Sequence, residues 1–191
     1  MEAWVWRSNS EGALPEVDFS HELSRVKSYR VTGSGFLDPE SGPAVFVSES
    51  AARRDFVGLG APVAYSYPLM SAITLRAFEE FVPADQFQAY PAEIHCRDGI
   101  LDSYSVVRPL VTRACIDEDR SELKWSTHIP PLIDAYRKIA LKPGCLGGLH
   151  FAREELMRWA CFSPALREAL VGFRGIPEQL RNPEEVSSPF W

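Results

Sequence analysis

The stretch Tyr67-Pro68-Leu69-Met70-Ser71-Ala72-Ile73-Thr74-Leu75-Arg76-Ala77-Phe78-Glu79-Glu80-Phe81-Val82 decides the fold class. An extended apolar run stops at a serine, and an amphipathic pattern begins. A serine hydroxyl at the N-cap accepts a hydrogen bond from a first-turn N–H that has no partner inside the helix. At about 100° per residue, Ile73, Leu75, Ala77, Phe78, Phe81 and Val82 fall on one broad apolar arc. Arg76, Glu79 and Glu80 fill the opposite arc, with Arg76 and Glu80 at i,i+4. The spacing predicts a helix that starts after Ser71 and ends near Val82-Pro83.

The same order recurs twice. Ala44-Val45-Phe46-Val47 leads to Ser48 and then to Ala51, Ala52, Arg53, Arg54 and Phe56. Trp159-Ala160-Cys161-Phe162 leads to Ser163, then Leu166, Arg167 and Leu170. Pro164 suits the first helical position, where its missing N–H is not needed. Gly172 stands where a left-handed C-cap is expected. The first and third units both reach a Val-Gly pair and then a Gly-x-Pro turn, Gly60-Ala61-Pro62 and Gly175-Ile176-Pro177. Shared capping chemistry explains that likeness more simply than duplication.

Between these units the pattern is mostly strand. Residues 86–96 alternate, Asp98-Gly99 signals a turn, and 100–108 continue the alternation, which predicts a hairpin. Pro91 demotes its segment to an edge or a bulge. Residues 3–7 and 112–116 suggest further strands. Residues 132–140 fit helix or strand, and 148–162 suggest two short strands. The predicted fold is α+β, a mixed or antiparallel sheet flanked by three or more amphipathic helices, in a single domain over 1–182. Residues 8–42 read as loops around one or two short elements. Residues 183–191 have no period and read as a flexible tail unless Phe190 and Trp191 dock.

The chain has 191 residues, 46% of them hydrophobic. A chain of that length buries roughly 70% of its extended surface without disulfide or metal. It lacks the run of about 18 apolar residues that a membrane helix needs. Met1-Glu2-Ala3-Trp4 does not resemble a signal peptide, so the expected compartment is cytoplasmic. Cys96, Cys115, Cys145 and Cys161 lack a Cys-x-x-Cys spacing and read as free thiols, mostly buried.

Twenty basic residues stand against 26 acidic ones, a formal net charge of −6. Lysine occurs only at 27, 124, 138 and 142, and the arginines are scattered. Nucleic acid, which needs clustered Lys and Arg, is therefore not an expected partner. The five tryptophans, Trp4, Trp6, Trp125, Trp159 and Trp191, read as core. There is no Gly-x-Gly-x-x-Gly, no Walker-type loop and no Gly-x-Ser-x-Gly elbow. Gly144-Cys145-Leu146-Gly147-Gly148 reads as a turn. His95-Cys96 and Cys145 with His150 lack the spacing of a metal site. The sequence therefore predicts no catalytic set, cofactor or metal. A cysteine-dependent enzyme built on Cys145, Cys161 and His150 is the outlying alternative. The acidic run Asp117, Glu118 and Asp119 is the one candidate partner-binding feature.

Ordered short signatures then resemble a bacterial family. They are Pro68-Leu69-Met70-Ser71, Gln86-Phe87-x-x-Tyr90-Pro91-x-Glu93-Ile94, Tyr104-Ser105-Val106-Val107, and Cys115-Ile116-Asp117 followed by Ser121. Leu149-His150-Phe151-Ala152-Arg153 and Phe162-Ser163-Pro164-Ala165-Leu166 come next, before Gly172 and Gly175. From about residue 67 to 182 the chain resembles immunity protein family eleven of polymorphic toxin systems, formerly a domain of unknown function. Residues 1–43 match only loosely. Arg108 lies where that family often has Asn, and Arg153 is two residues from the Phe rather than adjacent. The resemblance implies a cytoplasmic, non-enzymatic protein that binds and neutralises a cognate toxin. It supplies no catalytic residues. A general protein-interaction module is the alternative.

Overall fold

The computed structural model describes residues 3–7, 14–33, 35–64, 67–127, 133–186 and 188. Leu132, Ser187 and the terminal Pro189-Phe190-Trp191 lie outside the described residues, as do Met1, Glu2 and residues 8–13. In chain order the elements are β1 (Trp4–Trp6), β2 (Asp18–Phe19), α1 (Ser28–Val31), β3 (Ala44–Ser48), β4 (Leu69–Ser71) and α2 (Ala72–Glu79). Then come β5 (Phe87–Cys96), β6 (Gly99–Pro109), β7 (Thr112–Arg113), β8 (Glu122–Trp125) and β9 (Ile133–Lys138). The last are β10 (Phe151–Glu154), β11 (Ala160–Phe162), α3 (Pro164–Leu170) and β12 (Leu180–Arg181).

The strands form two five-stranded mixed sheets, in the orders β12-β1-β11-β10-β7 and β2-β3-β5-β6-β4, plus the hairpin β8-β9. This corrects the expected architecture. The described residues hold three α-helices of four, eight and seven residues, and they do not flank a single sheet. The reasons are local. Ser48 does not cap a helix, because it ends β3 and its hydroxyl donates to the Glu16 carbonyl. The segment after it makes one 3-10 turn, Arg53–Phe56, before Gly58 and Gly60 interrupt it. Lys27 precedes α1 without a side-chain cap, and Gly33 follows it closely, so that helix is one turn long.

Side-chain alternation sorts the core into layers. Leu69 and Val106 join one cluster with Phe46, Tyr90 and Ile94, on the β2–β6 sheet's outer face. Met70 and Val107 point the other way, into a cluster shared with Trp6, Phe151 and Phe162 of the second sheet. Val5, Ala152 and Cys161 then form a third cluster with Tyr136 of the hairpin. Phe78 of α2 is the hub of the shared layer, edge-on to Phe87 and Phe151 at 5.0 Å each.

Two sequence features acquire their reasons here. Pro91 lies in β5, which is central, yet β3 begins to pair with β5 only at Ala92. Pro91 therefore occupies the locally unpaired edge, and a bulge follows between Ala92 and Ile94. The ambiguous 132–140 segment resolves to strand β9, paired with β8. Of the tryptophans, Trp6 and Trp159 are buried, Trp4 is half-buried beneath the Arg167 guanidinium, and Trp125 is exposed.

Among the described residues the buried Arg108 cation has no carboxylate partner. Its Nε donates to the Val31 carbonyl at 2.7 Å, and one terminal nitrogen donates to the carbonyls of Arg30, Gly33 and Gly35. The other donates to Gln88 Oε1, and Gln88 in turn brackets the Leu37 backbone. One guanidinium thus fastens α1 and the loop after it to the sheet.

Candidate functional site

The two Ser-initiated units that do form helices use the predicted caps. Ser71 Oγ accepts from the Thr74 N–H at 3.4 Å, and Ser163 Oγ accepts from the Leu166 N–H at 3.1 Å. Their surroundings bring the two Gly-x-Pro turns together. The N–H groups of Gly60 and Ala61 donate to the Arg174 carbonyl at 2.8 and 3.3 Å. Buried Gln179 fastens the joint, its Nε2 donating to the carbonyls of Ala61, Pro62 and Gly175. The Gly60 carbonyl accepts from the Ser71 N–H at 2.8 Å, which ties the joint to the start of α2.

An apolar groove of about 420 Å³ opens beside this joint. Val57, Leu59, Ile73, Leu101, Tyr104 and Phe173 line it. Tyr104 braces its floor, the phenol donating to the Leu59 carbonyl at 3.0 Å. Burial pushes that phenol up to about 12, so it stays a donor at physiological pH. Val57 is 74% exposed and Ile73 71%, so both stand on the lip and not in the wall. The apolar arc includes both Ile73 and Phe78; the structure buries Phe78 as expected but exposes Ile73 and buries Thr74, which the arc leaves out. The signal was available: at 100° per residue Ile73 lies about 20° from Glu80 and 60° from Arg76, on the polar side. Val57, in an irregular loop, carries no such signal.

One charged side chain, Arg53, lines the groove, and exposed Arg54 and Arg174 line a second recess together with Asp55. Arg53 and Arg54 approach Asp98 and Asp55 at 3.9 and 3.8 Å, on side chains at least 43% exposed. Such long, wet pairs hold their partners weakly.

The acidic run lies elsewhere, on a turn after the bridge between Ile116 and Leu141. Asp117 is committed inside the chain, accepting from the Arg120 N–H and pairing with its guanidinium at 3.7 Å. Arg120 also reaches Glu184 at 3.3 Å, and Lys138 reaches Glu184 at 3.8 Å. Glu118 and Asp119 are exposed. The turn and the groove share no lining residue.

All four cysteines are free thiols, Cys115 and Cys161 buried, Cys96 and Cys145 half-buried. A hydrogen bond from Cys145 favours the Cys115 thiolate, but a hydrogen bond with Cys161 and burial outweigh it and push the thiol up to about 12. His150 bonds through Nδ1 to Ser163 Oγ at 2.8 Å, and not to a cysteine. His95 Nε2 lies 3.1 Å from Glu93. Among the described residues no three His, Cys, Asp or Glu side chains converge as a metal site, and no helix is long and apolar enough to cross a membrane. No protein-family model and no curated protein matches the chain.

Proposed function

We propose that this chain is a non-enzymatic cytoplasmic immunity protein that binds a cognate toxin and neutralises it. The ordered signatures over residues 67–182 support the toxin. The apolar groove supports the binding, and it is the observation that carries the reading. Val57 and Ile73 project from its lip, where they gain nothing in the isolated chain. Fully burying a Val or Ile side chain is worth about 1.5–3 kcal/mol, so covering these two returns roughly 2–4 kcal/mol. That makes them the anchors of an interface whose remaining area, about 800 Å² per partner, is complementarity. Arg53, Arg54 and Arg174 set the partner's chemistry: an apolar side chain flanked by carboxylates.

The test is co-expression with the toxin-like gene encoded nearby. The expected result is rescue of growth and a complex on gel filtration. The double variant Val57→Asp/Ile73→Asp loses the complex, with affinity down by about 30- to 1,000-fold, while melting as the parent does. No rescue and no complex defeats the immunity reading. A complex indifferent to the double variant defeats the groove.

A further inference from the structure

Four arginines from three separate stretches of the chain meet where the two sheets abut. Arg30 of α1, Arg153 of β10 and Arg158 line a recess of about 300 Å³, bordered by Tyr29 and Phe36. A narrow cleft shares Arg153, Arg158 and Gly33 with that recess and adds Arg108. The surface is exceptional for a chain of net charge −6.

The four are not equally served. Arg108 is saturated by carbonyls. Arg153 is only 8% exposed, and its Nε is buried with no hydrogen-bond partner among the described residues. Among the described residues none of the four forms an ion pair. Glu154 is the next residue, but strand alternation sends it to the opposite face, where it accepts from the Met157 N–H. Burial lowers the pKa of Arg108 to about 10, and Arg153 and Arg30 add to the lowering although Tyr90 opposes it. Burial likewise lowers that of Arg153, with Arg158 pushing the same way against Glu154. A buried, partly unpaired guanidinium among like charges is costly. Arg158 also has φ of 59°, an uncommon backbone state for a side-chain-bearing residue. An anion seated among these groups offsets the cost of desolvation and relieves the repulsion.

We propose that the recess binds a phosphate-class oxyanion, held by Arg30, Arg153 and Arg158. Three guanidinium groups lining one recess offer more parallel donor pairs than the two oxygens of a single carboxylate can accept, and so suit a multivalent tetrahedral anion better. The exposed rings of Tyr29 and Phe36 leave room at the mouth for an organic group on the phosphate. The same chemistry thus admits inorganic phosphate or a phosphomonoester.

The full-length chain is melted in 50 mM phosphate and in chloride of equal ionic strength and pH. A site with Kd of about 1 mM raises Tm by roughly 5–9 °C over the chloride control. Arg30 and Arg158 are exposed, so Arg30→Gln/Arg158→Gln keeps the fold. That variant melts no lower than the parent in chloride and loses the phosphate response. Arg54→Gln, outside the recess, keeps it. Should the double variant fold poorly, Arg158→Gln alone is compared with the parent by phosphorus-31 line broadening. Equal melting in phosphate and chloride, or an equal response in the recess variants, overturns the proposal. AMP replaces phosphate in a second series. A larger rise assigns the site to a phosphomonoester, and an equal one to the free ion.

Discussion

Gly175→Ala tests the joint between the two Gly-x-Pro turns. Gly175 has φ of +92°, and a Cβ there would lie 2.0 Å from the Ala61 carbonyl oxygen. Two costs follow. A side-chain-bearing residue at that φ is strained by about 1–2 kcal/mol. The Ala61 carbonyl must also retreat, which pulls on the Gln179 Nε2 bond of 3.2 Å and on the two N–H bonds to the Arg174 carbonyl. Losing two such bonds costs roughly another 2 kcal/mol. The sum is about 3–4 kcal/mol, a Tm lower by roughly 6–16 °C for a chain of this size. Gly172→Ala is the control three residues earlier. Its φ is not positive, and an added Cβ meets nothing within 4 Å. Removing glycine there stabilises by about 0.4–1 kcal/mol through the unfolded chain. The assay is urea unfolding of both variants, read from the midpoint with m unchanged. A difference between the two variants below about 1 kcal/mol refutes the reasoning, because the joint would then tolerate a side chain.

Ser163→Ala removes an acceptor for the Leu166 N–H and a partner of His150, whereas Ser71→Ala removes only the longer cap to Thr74 and its hydroxyl contact. Urea unfolding should show losses of about 1–2 kcal/mol for Ser163 and about 0.5–1 for Ser71, and the reverse order would contradict the geometry. In the native chain at pH 7.5, iodoacetamide should label Cys96 and Cys145 and spare Cys115 and Cys161, checked by peptide mass. Rapid labelling of Cys115 would show that burial does not hold its thiol up. Glu154 is fully buried, and burial raises its pKa above the ordinary 4.5, although N–H groups of Met157, Leu156, Ile116 and Cys115 lower it in part. Its ionisation therefore destabilises the fold at pH above the folded value, and the penalty vanishes as pH falls below the unfolded one. The Tm of Glu154→Gln relative to the parent should rise as pH increases from 4.5 to 7; a fall over that range would mean the N–H groups dominate.

What the sequence disclosed follows the range of the interactions. The caps at Ser71 and Ser163 and the turn at Asp98-Gly99 depend on neighbours within four residues, and each appears where its pattern stands. Helix extent does not depend on neighbours alone. The apolar arc after Ser71 extends to Val82, but α2 stops at Glu79, since Phe81 and Val82 serve packing beyond the last helical turn. Gly172 looked like the left-handed glycine, and Gly175 is the one, because the Ala61 carbonyl 114 positions earlier leaves no room for a Cβ. The arginines looked scattered at 30, 108, 153 and 158, and strand pairing gathers four of them.

The signatures that carry the family resemblance have a common place in the fold. Pro68-Leu69-Met70-Ser71 is β4 with the α2 cap, Tyr104-Ser105-Val106-Val107 lies in β6, and Phe151 and Phe162 pair across β10 and β11. They fill the core layers, where a changed volume costs about 2–5 kcal/mol, and the caps, where a lost serine costs about 0.5–2 kcal/mol. Val57, Ile73 and the exposed arginines 30 and 158 bear no such load, because their side chains project into solvent. A binding surface made of such residues is free to change partner while the core is held constant. On the proposed immunity reading, specificity for a toxin is to be sought at the lip of the groove, where substitution of Val57 or Ile73 alters recognition without altering the fold.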